Sequence, residues 1–482
     1  MSRVRFLYSL PDRVSEFAMN QLSYSRLFNF VLYTSLMFGL GACAGPRQPA
    51  TAPPNEPVGF AGEAAIQSST RNPGGTRVNS VRLEDPVGTL TLRRAIALAL
   101  ERNPALAAFE YDRRAADARR LQAGLRPNPT AGLQIEDVLG SGALRGARSA
   151  EVTLQLSQLI ELGGKRSARV EAAEAGRERD LRRMELERQE VFAAVAWRFI
   201  HLVGDQHKVI LAREATRLAE ETLTLARRRV EAARASPLEV MRARILLAGA
   251  RIDEEHAEHE LLVARSRLAA TWGATRADFT EAEAELFVRP AVPSFEELAA
   301  RISRSPELVL WADETAVREA EIKLADARRR PDLTAGAGVR RHAGPDEIGF
   351  VFQFQMPLPL NDRQQGAREE ARAMRDKVHF ERAGAELRLR TALFGIAQEL
   401  IHAVTELEAL EAEMLPQAEA ALGLVREGFE QARFSQLELL DAQRTLLDLR
   451  RQRILAAVAC HQFVVEIEKL LGEPLEATID QP

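Results

Sequence analysis

Leu125–Gly132 reads LRPNPTAG, and Arg329–Gly336 reads RRPDLTAG. Arg-Pro followed by Thr-Ala-Gly recurs in register after about 200 residues. Working outward, Asn103-Pro104-Ala105-Leu106 lies upstream of the first copy and Ser305-Pro306-Glu307-Leu308 upstream of the second. Downstream, Glu231–Val240 (EAARASPLEV) matches Glu430–Leu439 (EQARFSQLEL), with Glu, Ala, Arg, Ser, Leu and Glu identical in order. Three ordered matches predict two structural repeats, 89–285 and 286–475.

Both repeats have the same internal grammar. A short helix comes first, at Leu92–Arg102 and again at Phe295–Ser303. A proline suited to a first turn then opens a second helix. That helix must stop near the Arg-Pro, because the residue before proline is driven out of the α region. Two alternating segments follow. Leu133 and Ile135 alternate with Gln134 and Glu136, and Val152, Leu154 and Leu156 with Thr153, Gln155 and Ser157. In the second repeat the first member, Leu333–Val339, is Gly-rich. The second is clear, with Phe350, Phe352 and Phe354 alternating with Val351, Gln353 and Gln355. Period two predicts strands with one apolar face. Polar loops, Leu139–Ser149 and Arg340–Glu347, join the members of each pair.

After each strand pair the pattern turns helical and stays so. Arg166–Arg234 has no proline, which predicts roughly 100 Å of helix. Ser236-Pro237 breaks it, and a return helix runs to about Trp272. Its stripe Leu238, Met241, Ile245, Ala248, Ile252 is spaced as a heptad seam. The second repeat predicts one long helix from about Gln365 to Arg433 and a return over Ser435–Leu471. The composition agrees: 28% of the 482 residues are charged and only 6% aromatic, a signature of long helices. A net charge of −4 argues against a polyanion-binding surface, so no nucleic-acid partner is expected.

The N-terminus carries an address. Leu27–Ala42, LFNFVLYTSLMFGLGA, is shorter than a bilayer-spanning helix and has the form of a secretory h-region. Leu40-Gly41-Ala42-Cys43 resembles the bacterial lipobox, which implies cleavage before Cys43, acylation there by diacylglycerol and palmitate, and residues 1–42 as a lipoprotein signal peptide. Met19 is an alternative start that gives a more ordinary peptide. Ala44 rather than Asp after the cysteine fits passage to the outer membrane. Residues 43–88 are rich in Pro, Gly, Ser and Thr and read as an extended tether. Residues 476–482 read as a tail. The other cysteine, Cys460, reads as a small buried hydrophobe.

Taken together, these segments resemble the TolC-like outer-membrane efflux channels over nearly all of 89–475. The likeness rests on the Leu-Thr-Leu…Asn-Pro opening (Leu90–Pro104), the Arg-Pro-Asn-Pro before the first strand and the two Ser-x-Leu-Glu turns. The strand-to-helix junctions, Gln158–Glu174 (QLIELGGKRSARVEAAE) and Met356–Ala371 (MPLPLNDRQQGAREEA), are similar to those of the cobalt–zinc–cadmium (CzcC-like) and copper–silver efflux lipoproteins. The resemblance implies a mostly α protein with a small β part. It implies a homotrimer whose three chains supply twelve strands to one outer-membrane β-barrel, continued by a periplasmic α-helical tube. Phe350, Phe352 and Phe354 would then meet lipid; the alternative is that they form a soluble sandwich core.

The implied activity is that of an exit duct, working with a periplasmic adaptor (membrane fusion protein) and a proton-driven resistance-nodulation-division transporter, and exporting heavy-metal cations. Drug or general export is the alternative for the same architecture. A lipid-anchored coiled-coil scaffold without a pore is the alternative of another class. The turns Ser236-Pro237-Leu238 and Ser435 to Leu437 are expected at the periplasmic tip. By position, Glu438 and Asp441 resemble the acidic residues lining the periplasmic constriction of TolC-like channels, against a bland reading as solvated helix face. HExxH, GxSxG, P-loop, GxGxxG and CxxC patterns do not occur, so the chain is read as a non-enzyme without cofactors. In Asp253–Glu260 (DEEHAEHE), His256 and His259 are weak metal-ligand candidates. His259 also extends the 238–252 stripe and can simply pack.

Overall fold

A computed structural model of the chain describes residues 85–475. The expected signal peptide, Cys43, nearly all of the tether and the tail lie outside the described residues. The first repeat runs β1 (Gly88–Thr91), α1 (Leu92–Arg102), α2 (Pro104–Gly124), β2 (Thr130–Glu136), β3 (Glu151–Ile160), α3 (Lys165–Glu231), α4 (Pro237–Ala269) and β4 (Phe279–Glu283). The second runs α5 (Phe295–Arg301), α6 (Pro306–Ala327), β5 (Leu333–His342), β6 (Glu347–Gln355), α7 (Gln365–Ala409), a π turn (Leu410–Met414), α8 (Leu415–Glu430) and α9 (Gln436–Leu471).

The helix starts follow local chemistry. Asn103 Oδ1 accepts from the Ala105 and Leu106 amides at 2.8 and 3.2 Å, and Pro104 occupies the first turn, where its missing N–H leaves nothing unpaired. Asn103 Nδ2 also donates to the Thr271 carbonyl at 2.7 Å, tying this corner to the end of the α3/α4 hairpin. Ser305 caps α6 in the equivalent place, ahead of Pro306.

The main core gathers Leu90, Leu98, Phe199, Leu202, Trp272 and Phe279 from the first repeat against Leu298, Leu393, Leu400 and Ile467 from the second. At its rim β1 and β4 pair as a parallel two-stranded sheet, Leu90 opposite Ala282, which the strand pattern did not anticipate. Each is too short to display an alternation. Toward the turns a smaller cluster closes the α3/α4 hairpin: Ala219, Leu223 and Ala226 against Ala243, Leu247 and Ala250.

Two helical expectations are corrected. Leu238, Met241, Ile245 and Ile252 are 50–73% exposed, so the heptad stripe is not the seam the hairpin uses. Small residues let the backbones of α3 and α4 approach, and the bulky stripe is turned outward. The long helix expected from Gln365 to Arg433 is interrupted. Pro416 cannot donate to the carbonyl four residues back and its ring crowds that turn, and a π turn at Leu410–Met414 precedes it. Helix α3, without proline, runs 67 residues unbroken.

The two repeats also meet at close approaches. A Cβ on Gly204 of α3 would stand 2.5 Å from Val458 Cγ2 of α9, so only glycine allows these helices their spacing. Among the described residues no helix is long and apolar enough to cross a membrane.

Candidate functional site

Strands β2, β3, β5 and β6 form one antiparallel sheet in that order, with β2 and β6 as its open edges. The register sorts its side chains. One face carries Leu133 and Ile135, Val152, Leu154 and Leu156, Val339, and Ile348, Phe350, Phe352 and Phe354, with Arg341 at its loop end. The other carries Gln134, Thr153, Gln155, Ser157, Arg340 and Gln353, with Val351, Gly336, Gly338 and Gly349 among them. Phe350, Phe352 and Phe354 thus share one face with the aliphatic residues of the three other strands, and they are 71–79% exposed.

The two faces differ in crowding. Along β3 and β5 the polar-face residues are buried or half-buried, while Leu154, Leu156 and Val339 between them are exposed. Thr153 is 1% exposed. Side chains crowd on the concave side of a curved sheet and splay on the convex side. The polar face is therefore concave and the apolar face convex, as in a barrel wall with water inside and lipid outside.

Near the loop end of the polar face, every guanidinium nitrogen of Arg340 is engaged. Nε donates to Thr153 Oγ1 at 2.9 Å, Nη1 to Glu151 at 2.7 Å and Nη2 to Glu136 at 3.2 Å. His342 Nδ1 lies 3.0 Å from the other Glu151 oxygen.

At the far ends of the hairpins the two turns are copies of one another. Ala233 and Ala432 are left-handed, with φ of 56° and 59°. The next amides, of Arg234 and Arg433, close back on the Arg229 and Gly428 carbonyls at 2.8 and 2.7 Å. Ser236 caps α4 ahead of Pro237 by accepting from the Leu238 amide, and Ser435 caps α9. The turns diverge in the side chains that bridge them. Arg229 of α3 donates to the Phe429 carbonyl and lies over the Phe429 ring. Gln436 of α9, buried, donates to the Glu239 carbonyl at 2.8 Å, and Gln443 donates to Thr222 at 3.0 Å across the buried α3/α9 contact.

Glu438 and Asp441 both lie exposed on the first turns of α9, and their carboxylates are differently held. Glu438 completes a capping box: its Oε2 accepts from the Ser435 amide at 2.7 Å and from the Ser435 hydroxyl at 2.8 Å. These hydrogen bonds, the backbone one first, hold its carboxyl below the ordinary value of 4.5. Leu437, beside it, is 59% exposed.

His256 is exposed and pairs with Glu260 at 3.4 Å, and His259 is exposed. Among the described residues no group of three or more His, Cys, Asp or Glu is placed to hold a metal ion. Cys460 is fully buried in the core, and burial pushes its thiol up to about 11. Sequence reasoning missed Arg340, Arg229 and Gln436. Arg340 lies in the stretch Arg340–Glu347 expected as a loop, but β5 runs on through it to His342 and continues the strand's period of two, which was the usable signal. For the other two, partners about 200 residues away leave no local trace.

A family model described as outer membrane efflux protein matches residues 95–274 and 300–473. The cobalt-zinc-cadmium resistance protein CzcC of Cupriavidus metallidurans is 31% identical over 409 residues, covering 85% of this chain and 95% of the relative. The nickel-cobalt-cadmium resistance protein NccC of Alcaligenes xylosoxydans xylosoxydans is 28% identical, covering 58% of this chain and 62% of its own. Among solved structures, a membrane protein from Pseudomonas aeruginosa superposes with a TM-score of 0.67 at 20% identity, covering 80% of this chain and 90% of that one. The paired strand–helix repeats, the curved sheet and these matches lead to one assignment: the chain belongs to the outer membrane efflux protein family.

Proposed function

We propose that three copies of this chain close a twelve-stranded barrel in the outer membrane, continued by a periplasmic helical tube, and that the assembly is the exit duct of a tripartite system exporting heavy-metal cations. The observation that carries the reading is the four-stranded sheet with exposed apolar side chains on one face, more crowded polar ones on the other, and both edges open. An unpaired edge in lipid leaves backbone groups unsatisfied at several kcal/mol each, so the sheet needs neighbours. The helices supply a second support. Phe380, Leu387, Phe394 and Ile401 recur every seven residues on α7 and are 43–76% exposed, as is the outward stripe of α4. Neighbouring copies would cover both.

Metal cargo rests on the relatives named for cobalt, zinc, cadmium and nickel resistance. A periplasmic adaptor and a resistance-nodulation-division transporter complete the system, since a conduit of this kind has no energy source of its own. Cys43 is the lipid anchor. Glu438 and Asp441 form an acidic ring where the tips converge. The test is deletion and complementation in the host, scored for tolerance to cobalt, zinc and cadmium and, in parallel, to drugs. Loss of metal tolerance alone is expected. Loss of drug tolerance alone would overturn the metal assignment.

A further inference from the structure

Arg340 is the one cation of the polar sheet face in its cluster, and its position is unusual for a surface arginine. It reaches from β5 across β3 to β2, engages all three nitrogens, and keeps a side-chain exposure of 28%. The carboxylates it meets, Glu136 and Glu151, occupy the last cross-strand row before the loops, with Glu347 in the same row on β6. This row is at the end of the sheet opposite the helices. If the concave face lines the lumen, as proposed above, this row of each copy presents three carboxylates against one guanidinium and the His342 imidazole, which lies 3.0 Å from the second Glu151 oxygen. Repeated around a closed barrel, such a ring attracts cations into a confined space.

Conduction requires that a permeating ion be attracted enough to enter and held weakly enough to leave. Unoccupied, the paired oxygens of Glu136 and Glu151 are hard ligands of the kind a divalent cation takes. We propose that Arg340 is a selectivity-setting residue of the duct: by occupying oxygens of Glu136 and Glu151, it keeps the outer mouth attractive to divalent cations without letting it retain them. Gly349, its cross-strand neighbour on β6, adds no side chain beside it.

The test uses the full-length chain reconstituted in planar bilayers, with cobalt(II) as the probe. The readouts are the half-blocking cobalt concentration and the reversal potential in a potassium chloride gradient. Arg340→Gln keeps a donor for Thr153 and removes the charge. It should lower the half-blocking concentration by about tenfold and increase cation preference, because carboxylates freed in a confined mouth act at reduced dielectric screening. Adding Glu136→Gln and Glu151→Gln to Arg340→Gln should return cobalt block to the level of the unaltered chain or weaker.

An Arg340→Gln protein that assembles and blocks within about twofold of the unaltered chain would overturn the proposal. If Arg340→Gln fails to assemble, Glu136→Gln/Glu151→Gln decides. Leaving Arg340 uncompensated should shift the reversal potential toward anions, and an unshifted potential would overturn it. An unaltered chain that does not conduct refutes the duct reading itself, which is a separate outcome from conducting variants that behave alike.

Discussion

The guanidinium carbon of Arg229 stands 4.1 Å from the centroid of the Phe429 ring, and Arg229 Nη1 donates to the Phe429 carbonyl at 2.7 Å. One side chain of the first repeat thus holds both the ring and the backbone at the last turn of α8. With Gln436 on the Glu239 carbonyl, it makes the two hairpin tips one unit.

Arg229→Ala should therefore loosen the tip without unfolding the core. A charge-assisted hydrogen bond and a cation–π contact are lost, together about 2–4 kcal/mol of local stability. Hydrogen exchange at the amides of Phe429 to Ser435 should accelerate while those around Phe199 keep their protection. Uniform acceleration would show instead that the tip and core unfold together.

The Ser435–Glu438 capping box gives the tip a pH dependence of known sign. The folded carboxyl of Glu438 lies below its ordinary 4.5, so its contribution is present above that value and fades as pH falls through the folded value. Ser435→Ala should cost about 1 kcal/mol at neutral pH. The Ser435 amide still donates to Glu438 in that variant, so Glu438→Gln is the change that should remove the acid-dependent loosening of the first turn of α9, followed by hydrogen exchange. A Glu438→Gln chain that loosens in acid like the parent would exclude the box as its source.

Gly204 is set against Val458 too closely for any Cβ. Gly204→Ala should destabilise by about 1–3 kcal/mol despite alanine's better helix propensity, because overpacking exceeds the propensity gain. Combining it with Val458→Ala should recover part of the loss in a thermal or denaturant midpoint. Strict additivity of the two changes would place the clash elsewhere.

At the proposed acidic ring, Asp441→Asn should weaken cation preference and block by trivalent cations more than Glu438→Gln does. Glu438 is bound to its own Ser435, and Asp441 is free of that box. Bilayer recordings of the two single variants and their combination decide this. Unchanged block in the combination would put the pair on the outer surface.

Cys43→Ser should abolish incorporation of labelled fatty acid and cleavage before that residue. A mature protein starting elsewhere, without an acyl chain, would end the lipoprotein reading.

Much of the architecture was written locally. Arg-Pro stops, Asn103 and Ser305 caps and the Ser236 and Ser435 turns set element order in both repeats, because caps and prolines act within one turn of helix. The alternation of Phe350, Phe352 and Phe354 with polar neighbours placed them on one face, because a strand's period is two whatever it pairs with.

What lay beyond the sequence were choices between distant surfaces. Hydrophobicity favoured Leu238, Met241, Ile245 and Ile252 as the seam of α4. The fold instead buries Ala243, Leu247 and Ala250, because alanines on both helices let the backbones approach around one leucine from each, Leu223 and Leu247. Glu438 looked equivalent to Asp441 until the turn brought the Ser435 amide and hydroxyl onto it. Arg340 read as the first residue of a polar loop; β5 instead continues to His342, and the register of three strands makes Arg340 a clamp on two carboxylates. Periodicity and capping are properties of a few neighbouring residues. Which face is buried, and which charge meets which, depends on backbones brought together from as much as 200 residues apart.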